Sequence, residues 1–154
     1  MLESAAAHAT VVAGTLAALA ACVLLQYEAL IFAWRRLSRH GGNRRAKVLY
    51  GIVSVIAIHL AEIAIFGLML WLLCLWPACG RLAGEGEREF FDYLCFSAVT
   101  FSTVGFGEIW PVGAVRLLCG IEALMGFVLL AWSGSFTYIE MEQFWRAEGM
   151  DKRE

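Results

Sequence analysis

Apolar residues in this chain fall in long unbroken runs separated by short charged stretches. The runs Ala9–Trp34, Val48–Trp76 and Val112–Ile139 each exceed the roughly 20 residues that cross a bilayer as a helix. A fourth, Phe90–Ser102, is too short to cross: at about 1.5 Å per residue it covers only ~20 Å. It has to enter and leave on the same face, and non-helical backbone at that depth is tolerated only where it lines a cavity. The pattern predicts an all-α membrane protein of one domain, with three transmembrane helices and a re-entrant helix ending in a loop.

Composition agrees. Apolar residues make up 60% and charged ones 17%, far from an ordinary soluble domain. A formal net charge of −2 says nothing about partners, and no basic stripe offers itself to nucleic acid. The distribution of charge does inform. Arg35, Arg36, Arg39, Arg44, Arg45 and Lys47, with His40 among them, crowd between the first two runs. Under the positive-inside rule that loop is cytoplasmic, although a basic patch for acidic lipid or nucleic acid has the same composition. The N-terminus and the segment Pro77–Asp92 are then outside, the short helix opens to the exterior, and the tail after Ile139 is cytoplasmic. The first run is not expected to be a signal peptide, because Glu3 and no Lys or Arg leads it, and it is too long.

Between the short run and the third long one stand Thr103-Val104-Gly105-Phe106-Gly107. A potassium ion sheds its water only where oxygens at similar spacing replace it, and rings of backbone carbonyls do this. Gly105 and Gly107, at alternate positions, reach backbone angles closed to other residues, so successive carbonyls can face one axis. Thr103 adds a hydroxyl oxygen at the inner end. The stretch TFSTVGFGEIWP, Thr100 to Pro111, resembles the signature of the tetrameric potassium channels.

That resemblance implies passive, potassium-selective conduction across the cell membrane, in a prokaryotic-type plasma membrane. Potassium would sit at Thr103, Val104, Gly105 and Phe106 as the permeant ion, with no other cofactor. The third run becomes the pore-lining inner helix, the second the outer helix that supports it, and the first an addition to the minimal two-helix channel. Gly126 falls near the family's gating-hinge glycine, although small residues also serve helix packing. Glu108 follows the strip at the outer mouth, where a ring of carboxylates would gather cations, or where it caps or packs behind the strip. The chain departs from the family with Phe106 where Tyr is commoner and Glu108 where Asp is usual. Val99 replaces an acid found in some relatives, and Cys95 and Phe96 fall where tryptophans are frequent. One strip per chain requires four chains about one axis for eight-fold coordination, hence a homotetramer.

Glu85, Glu87, Glu89 and Asp92 crowd the start of the short helix, where carboxylates favour the positive end of its dipole or are merely solvated. Pro111 suits the first turn of the third span, where a missing N–H costs nothing. Ser133, Ser135 and Thr137, near the cytoplasmic end of that span, could wet an inner vestibule. Phe144 and Trp145 of the tail suit the membrane interface or a frayed helix end.

His59, Glu62 and Glu122 are ionisable residues well inside the spans, which by default mark a function with a nearby partner. His59 and Glu62 share one helix face. Glu62 and Glu122 reach similar depths, so the three are expected to meet at mid-membrane. They form either a proton-sharing cluster that makes gating pH-dependent or a static interhelical tether.

Other chemistry finds no support. His8 and His40 lie near opposite faces, and no metal-ligand spacing is present. Of the five cysteines, Cys22, Cys74, Cys95 and Cys119 sit in apolar runs, whereas Cys79 lies in the exterior loop and could cross-link subunits. No nucleophile–base pair or phosphate loop speaks for an enzyme. No span repeats the arginines of a voltage sensor. Gating is then constitutive or driven by pH, lipid or tension. A weakly selective cation channel and a non-conducting membrane scaffold are the competing functions.

Overall fold

A computed structural model of the chain describes residues 2–39, 44–84 and 89–148. Glu85, Glu87 and His40 lie outside the described residues, as do the side chains of Arg39, Arg44, Arg45, Phe144 and Trp145. In chain order the elements are α1 (Leu2–Arg39), α2 (Arg44–Cys74), a 3-10 turn (Pro77–Cys79), β1 (Arg81–Ala83), α3 (Phe90–Phe101), β2 (Trp110–Val112) and α4 (Arg116–Glu148). Three helices hold segments long and apolar enough to cross a membrane: Glu3–Arg36, Ala46–Cys74 and Arg116–Ile139. Only 22, 22 and 39% of their apolar windows are buried within the chain, so large apolar side chains such as Leu16, Leu60 and Phe127 face outward. In water such a surface would drive aggregation; in lipid it is the solvated face.

Two boundaries differ from the apolar runs, each for a local reason. α2 ends at Cys74, before Trp76, because Pro77 opens the next turn and Trp76 is held extended (φ −101°, ψ 105°). α4 begins at Arg116, and Pro111 is not in its first turn. It lies in β2, which pairs antiparallel with β1 in the register Arg81↔Val112, Leu82↔Pro111, Ala83↔Trp110. A bond from Val115 N to Cys79 O (3.0 Å) extends this link. The ribbon therefore joins the chain just before α3 to the chain just after the Thr103–Gly107 strip.

α3 is a 12-residue helix with a reciprocal N-terminal cap. Glu89 N–H donates to Asp92 Oδ2 (2.9 Å), while the Glu89 side chain accepts from the backbone of Asp92. Two of the orphan donors at this helix start are thus satisfied by the acids the sequence places there.

The core lies where α3 packs between α2 and α4. Phe66, Leu70, Phe101, Leu118 and Leu129 are buried there. α1 packs along α2 and α4 through Val11, Ala18 and Cys22. Cys79 is fully buried, its Sγ 3.9 Å from Ala7 O of α1. The expectation of an accessible exterior cysteine is therefore corrected: α1 covers the thiol, and burial pushes its pKa up, away from the reactive thiolate.

Candidate functional site

The strip after α3 has an alternating backbone. Thr103 (φ 61°), Gly105 (φ 58°) and Gly107 (φ 83°) are left-handed, and Val104 and Phe106 between them are not. A left-handed threonine is uncommon and costs about 1–2 kcal/mol, so the surrounding contacts must impose it. Those contacts are visible. Thr103 N–H donates to Thr100 O (2.9 Å), and the N–H groups of Val104 and Gly105 both donate to Val99 O (3.1 and 3.3 Å). In a trans peptide the carbonyl points opposite to the next residue's N–H. The carbonyls of Thr103 and Val104 consequently point together, away from the end of α3. The C-terminal turn of α3 thus turns the N–H groups inward and leaves consecutive oxygens on the open side.

That side is open in the single chain. Val104 and Phe106 are 60 and 73% exposed, and Glu108 is exposed beside them. A groove of about 740 Å³ runs between the strip and α4, lined by Phe96, Val99, Thr103, Gly107, Trp110 and Cys119 among others.

Behind the strip, the residues singled out on the long helices converge on α3. The His59 ring lies 5.8 Å from that of Phe101, the last residue of α3, while its Nδ1 meets Glu62 Oε2 at 2.7 Å. Glu122 is hydrogen-bonded to the Ser97 hydroxyl of α3. Ser97 also donates to Ile63 O of α2 (2.8 Å). Glu62 and Glu122 are both fully buried, and among the described residues no hydrogen bond joins Glu122 to His59 or Glu62. The partner of Glu122 comes instead from α3, through Ser97.

Gly126 faces the same helix end. A Cβ there would overlap the Phe101 carbonyl, standing 2.7 Å from its carbon and 3.0 Å from Phe101 Cα. The glycine therefore has a packing requirement of its own, whether or not α4 bends there.

One residue that the hydropathy pattern passes over is Gln26 of α1. It is fully buried, with Nε2 donating to Ser133 Oγ (2.8 Å) and lying 3.5 Å from Leu129 O of α4. A neutral polar residue well inside an apolar run was the available signal. Ser133 accordingly faces α1 and is 2% exposed, not placed on a wetted vestibule wall. Ser135 and Thr137 bond carbonyls of their own helix, Ala131 O (3.1 Å) and Ser133 O (2.9 Å). Replacing Gln26 by leucine is expected to cost about 1 kcal/mol, the scale of an interhelical hydrogen bond in a membrane. Protease access to α1 in detergent should rise, and Ser133→Ala should add little to it.

No group of three or more His, Cys, Asp or Glu suited to a metal ion occurs among the described residues. No curated protein and no solved structure matches the chain. A family model described as "Ion channel" matches residues 54–143, more than half the chain, from within α2 through α3, the strip and most of α4. α1 lies outside the match and is joined to the matched region by Gln26 and Cys79. On that match this chain belongs to the ion channel family, with a place among the potassium channels.

Proposed function

We propose that this chain is the subunit of a potassium-selective channel, in which four copies surround one axis and Thr103, Val104, Gly105 and Phe106 present backbone oxygens to dehydrated potassium. The observation that carries the reading is the alternation of left-handed residues at Thr103, Gly105 and Gly107, with the N–H groups of Val104 and Gly105 tied back to Val99 O. A strip of carbonyls freed on one side is what coordination requires, and a single strip coordinates too few oxygens to replace a hydration shell. The groove between the strip and α4, with exposed Val104 and Phe106 beside it, would receive the neighbouring copy.

Several features support a re-entrant course for α3. It is too short to cross the bilayer, and the β1–β2 ribbon returns the chain beside its point of departure. The basic residues at the end of α1 and the start of α2 favour the orientation with the strip outside, the N-terminus outside and the C-terminus in the cytoplasm of a cell-membrane protein. Glu108 then stands at the outer mouth, where four carboxylates raise the local cation concentration. α4 is the inner helix, α2 the outer helix and α1 a peripheral brace. His59, Glu62, Glu122 and Gly126 act on the channel through α3.

Reconstitution of the purified protein into liposomes tests this, with potassium and sodium flux measured in parallel and subunit number read by native mass. The proposal predicts tetramers that pass potassium well ahead of sodium. Equal flux of both ions would make it a weakly selective cation channel, and tetramers passing neither would make it a scaffold.

A further inference from the structure

The Ser97 hydroxyl raises a proton-counting problem. It is fully buried, one turn before the end of α3, and has two oxygens within hydrogen-bonding reach: Ile63 O at 2.8 Å and Glu122 Oε1. A hydroxyl carries one proton, and a backbone carbonyl can only accept. If Ser97 donates to Ile63 O, the contact with Glu122 is satisfied only when the carboxyl itself supplies a hydrogen.

The surroundings leave little to hold a charge. Glu122 is fully buried, and among the described residues its Oε2 has no partner and its one hydrogen bond goes to Ser97. The titratable groups near it are the Cys22 thiol of α1 and Cys119 on its own helix, and Glu62 of α2 is a further neighbour of that Cys22 thiol. His59 is already engaged by Glu62. None of these offers Glu122 a cation. An isolated carboxylate in such a place is costly, and in a membrane interior more so.

We infer that Glu122 is held protonated and donates to Ser97 Oγ, making it the positioning residue that fixes α3, and with it the Thr103–Gly107 strip, between α4 and α2. The inference rests on the proposed function for its consequence in conduction, although the strut itself is a feature of the fold. The chain of donors then runs from Glu122 to Ser97 to Ile63 O, tying three helices through one turn of α3. The sign follows directly. At neutral pH the proton is present and the strut is intact. As pH rises and the proton is lost, the Ser97 hydrogen must swing to the carboxylate. Ile63 O then loses its α3 partner, and a bare negative charge stands buried with no cation beside it. α3 is released in the alkaline range and held below it.

Glu122→Gln separates this from a merely structural role. The amide can donate to Ser97 as the protonated acid does, and it has no proton to lose in this range. The experiment follows amide exchange of Phe90–Phe101 in bilayers from neutral to strongly alkaline pH, in the full-length wild type and in Glu122→Gln, with potassium flux measured on the same samples. Taking the ratio of the two proteins at each pH cancels the intrinsic pH dependence of exchange. The expected ratio is near one at neutral pH and about tenfold, wild type faster, once the strut ionises, the scale of one lost hydrogen bond. Potassium flux of the wild type should fall over the same range while that of Glu122→Gln holds. A ratio that stays near one at all pH would overturn the inference, as would α3 exchanging faster in Glu122→Gln already at neutral pH. Should the ratio change as expected while the wild type passes no potassium at any pH, the channel reading fails and the strut stands.

Discussion

Gly105→Ala protein is expected to fold and assemble, yet to lose potassium flux by about a thousandfold, from roughly 1 kcal/mol of left-handed strain in each of four strips. Gly105 has φ 58°, and a Cβ built there meets no atom within 4 Å in the chain itself. Nothing in the subunit fold therefore resists the methyl group. The penalty falls on the strip: alanine there costs about 1–2 kcal/mol relative to glycine if the left-handed angle is kept. Relaxing to the ordinary right-handed angle turns the peptide and removes an oxygen from the common side. In a tetramer the cost is incurred four times over, and the population of the conducting strip falls by about a factor of ten for each 1.4 kcal/mol. Tetramer yield and melting temperature should stay close to wild type. Potassium flux surviving within threefold of wild type would be incompatible with coordination by this strip.

The second large effect is expected at Gly126, and it is of the opposite kind. Gly126→Val should destabilise the fold by about 3 kcal/mol or more, beyond ordinary overpacking, because the obstructing atoms are backbone. A side chain in the way can change rotamer, but the Phe101 carbonyl cannot move without the end of α3. That end has nowhere to go. Phe101 is 1% exposed, with the His59 ring on it, and Ser97 one turn earlier is bonded to α2 and α4. On the far side, Gly67 of α2 brings its backbone against α3, so that a Cβ there would stand 3.2 Å from Leu94 Cα. α3 is wedged between two glycines on facing helices. Thermal melting in detergent checks this: Gly126→Val should melt well below wild type, and Gly126→Ala should be intermediate. If Gly126→Ala melted with the wild type, the close approach would be wrong, and a hinge would be the better reason for the glycine.

These expectations rest unequally on sequence and structure. The three long apolar spans, the short helix between the second and the third, and the alternation of glycines in the strip are legible, because each is written in local periodicity or in a short motif. The place of Pro111 was not. β2 exists only because Arg81–Ala83 lies beside it, a pairing across α3 that no local pattern records. Gln26 was missed for another reason: one neutral amide barely alters the hydropathy of a long run, although in lipid it must find a partner. Whether Ser133 faces a vestibule or a neighbouring helix depends on where α1 packs, and the sequence contains no register for α1. Depth arithmetic brought His59, Glu62 and Glu122 to one level of the membrane. It does not reveal that Glu122 pairs with Ser97 of α3 while His59 pairs with Glu62, since the tilt of a short helix follows from its packing.

The reversal potential of the channel in a planar bilayer, with potassium on one side and sodium on the other, decides whether the Thr103–Gly107 strip is the ligand of the passing ion. Coordination of potassium by the carbonyls of Thr103 to Phe106 predicts a reversal potential far from zero, of the sign that marks potassium as the permeant ion, with that current absent in Gly105→Ala. A reversal potential near zero, with current that survives Gly105→Ala, would mean that ions pass without using this strip as their ligand.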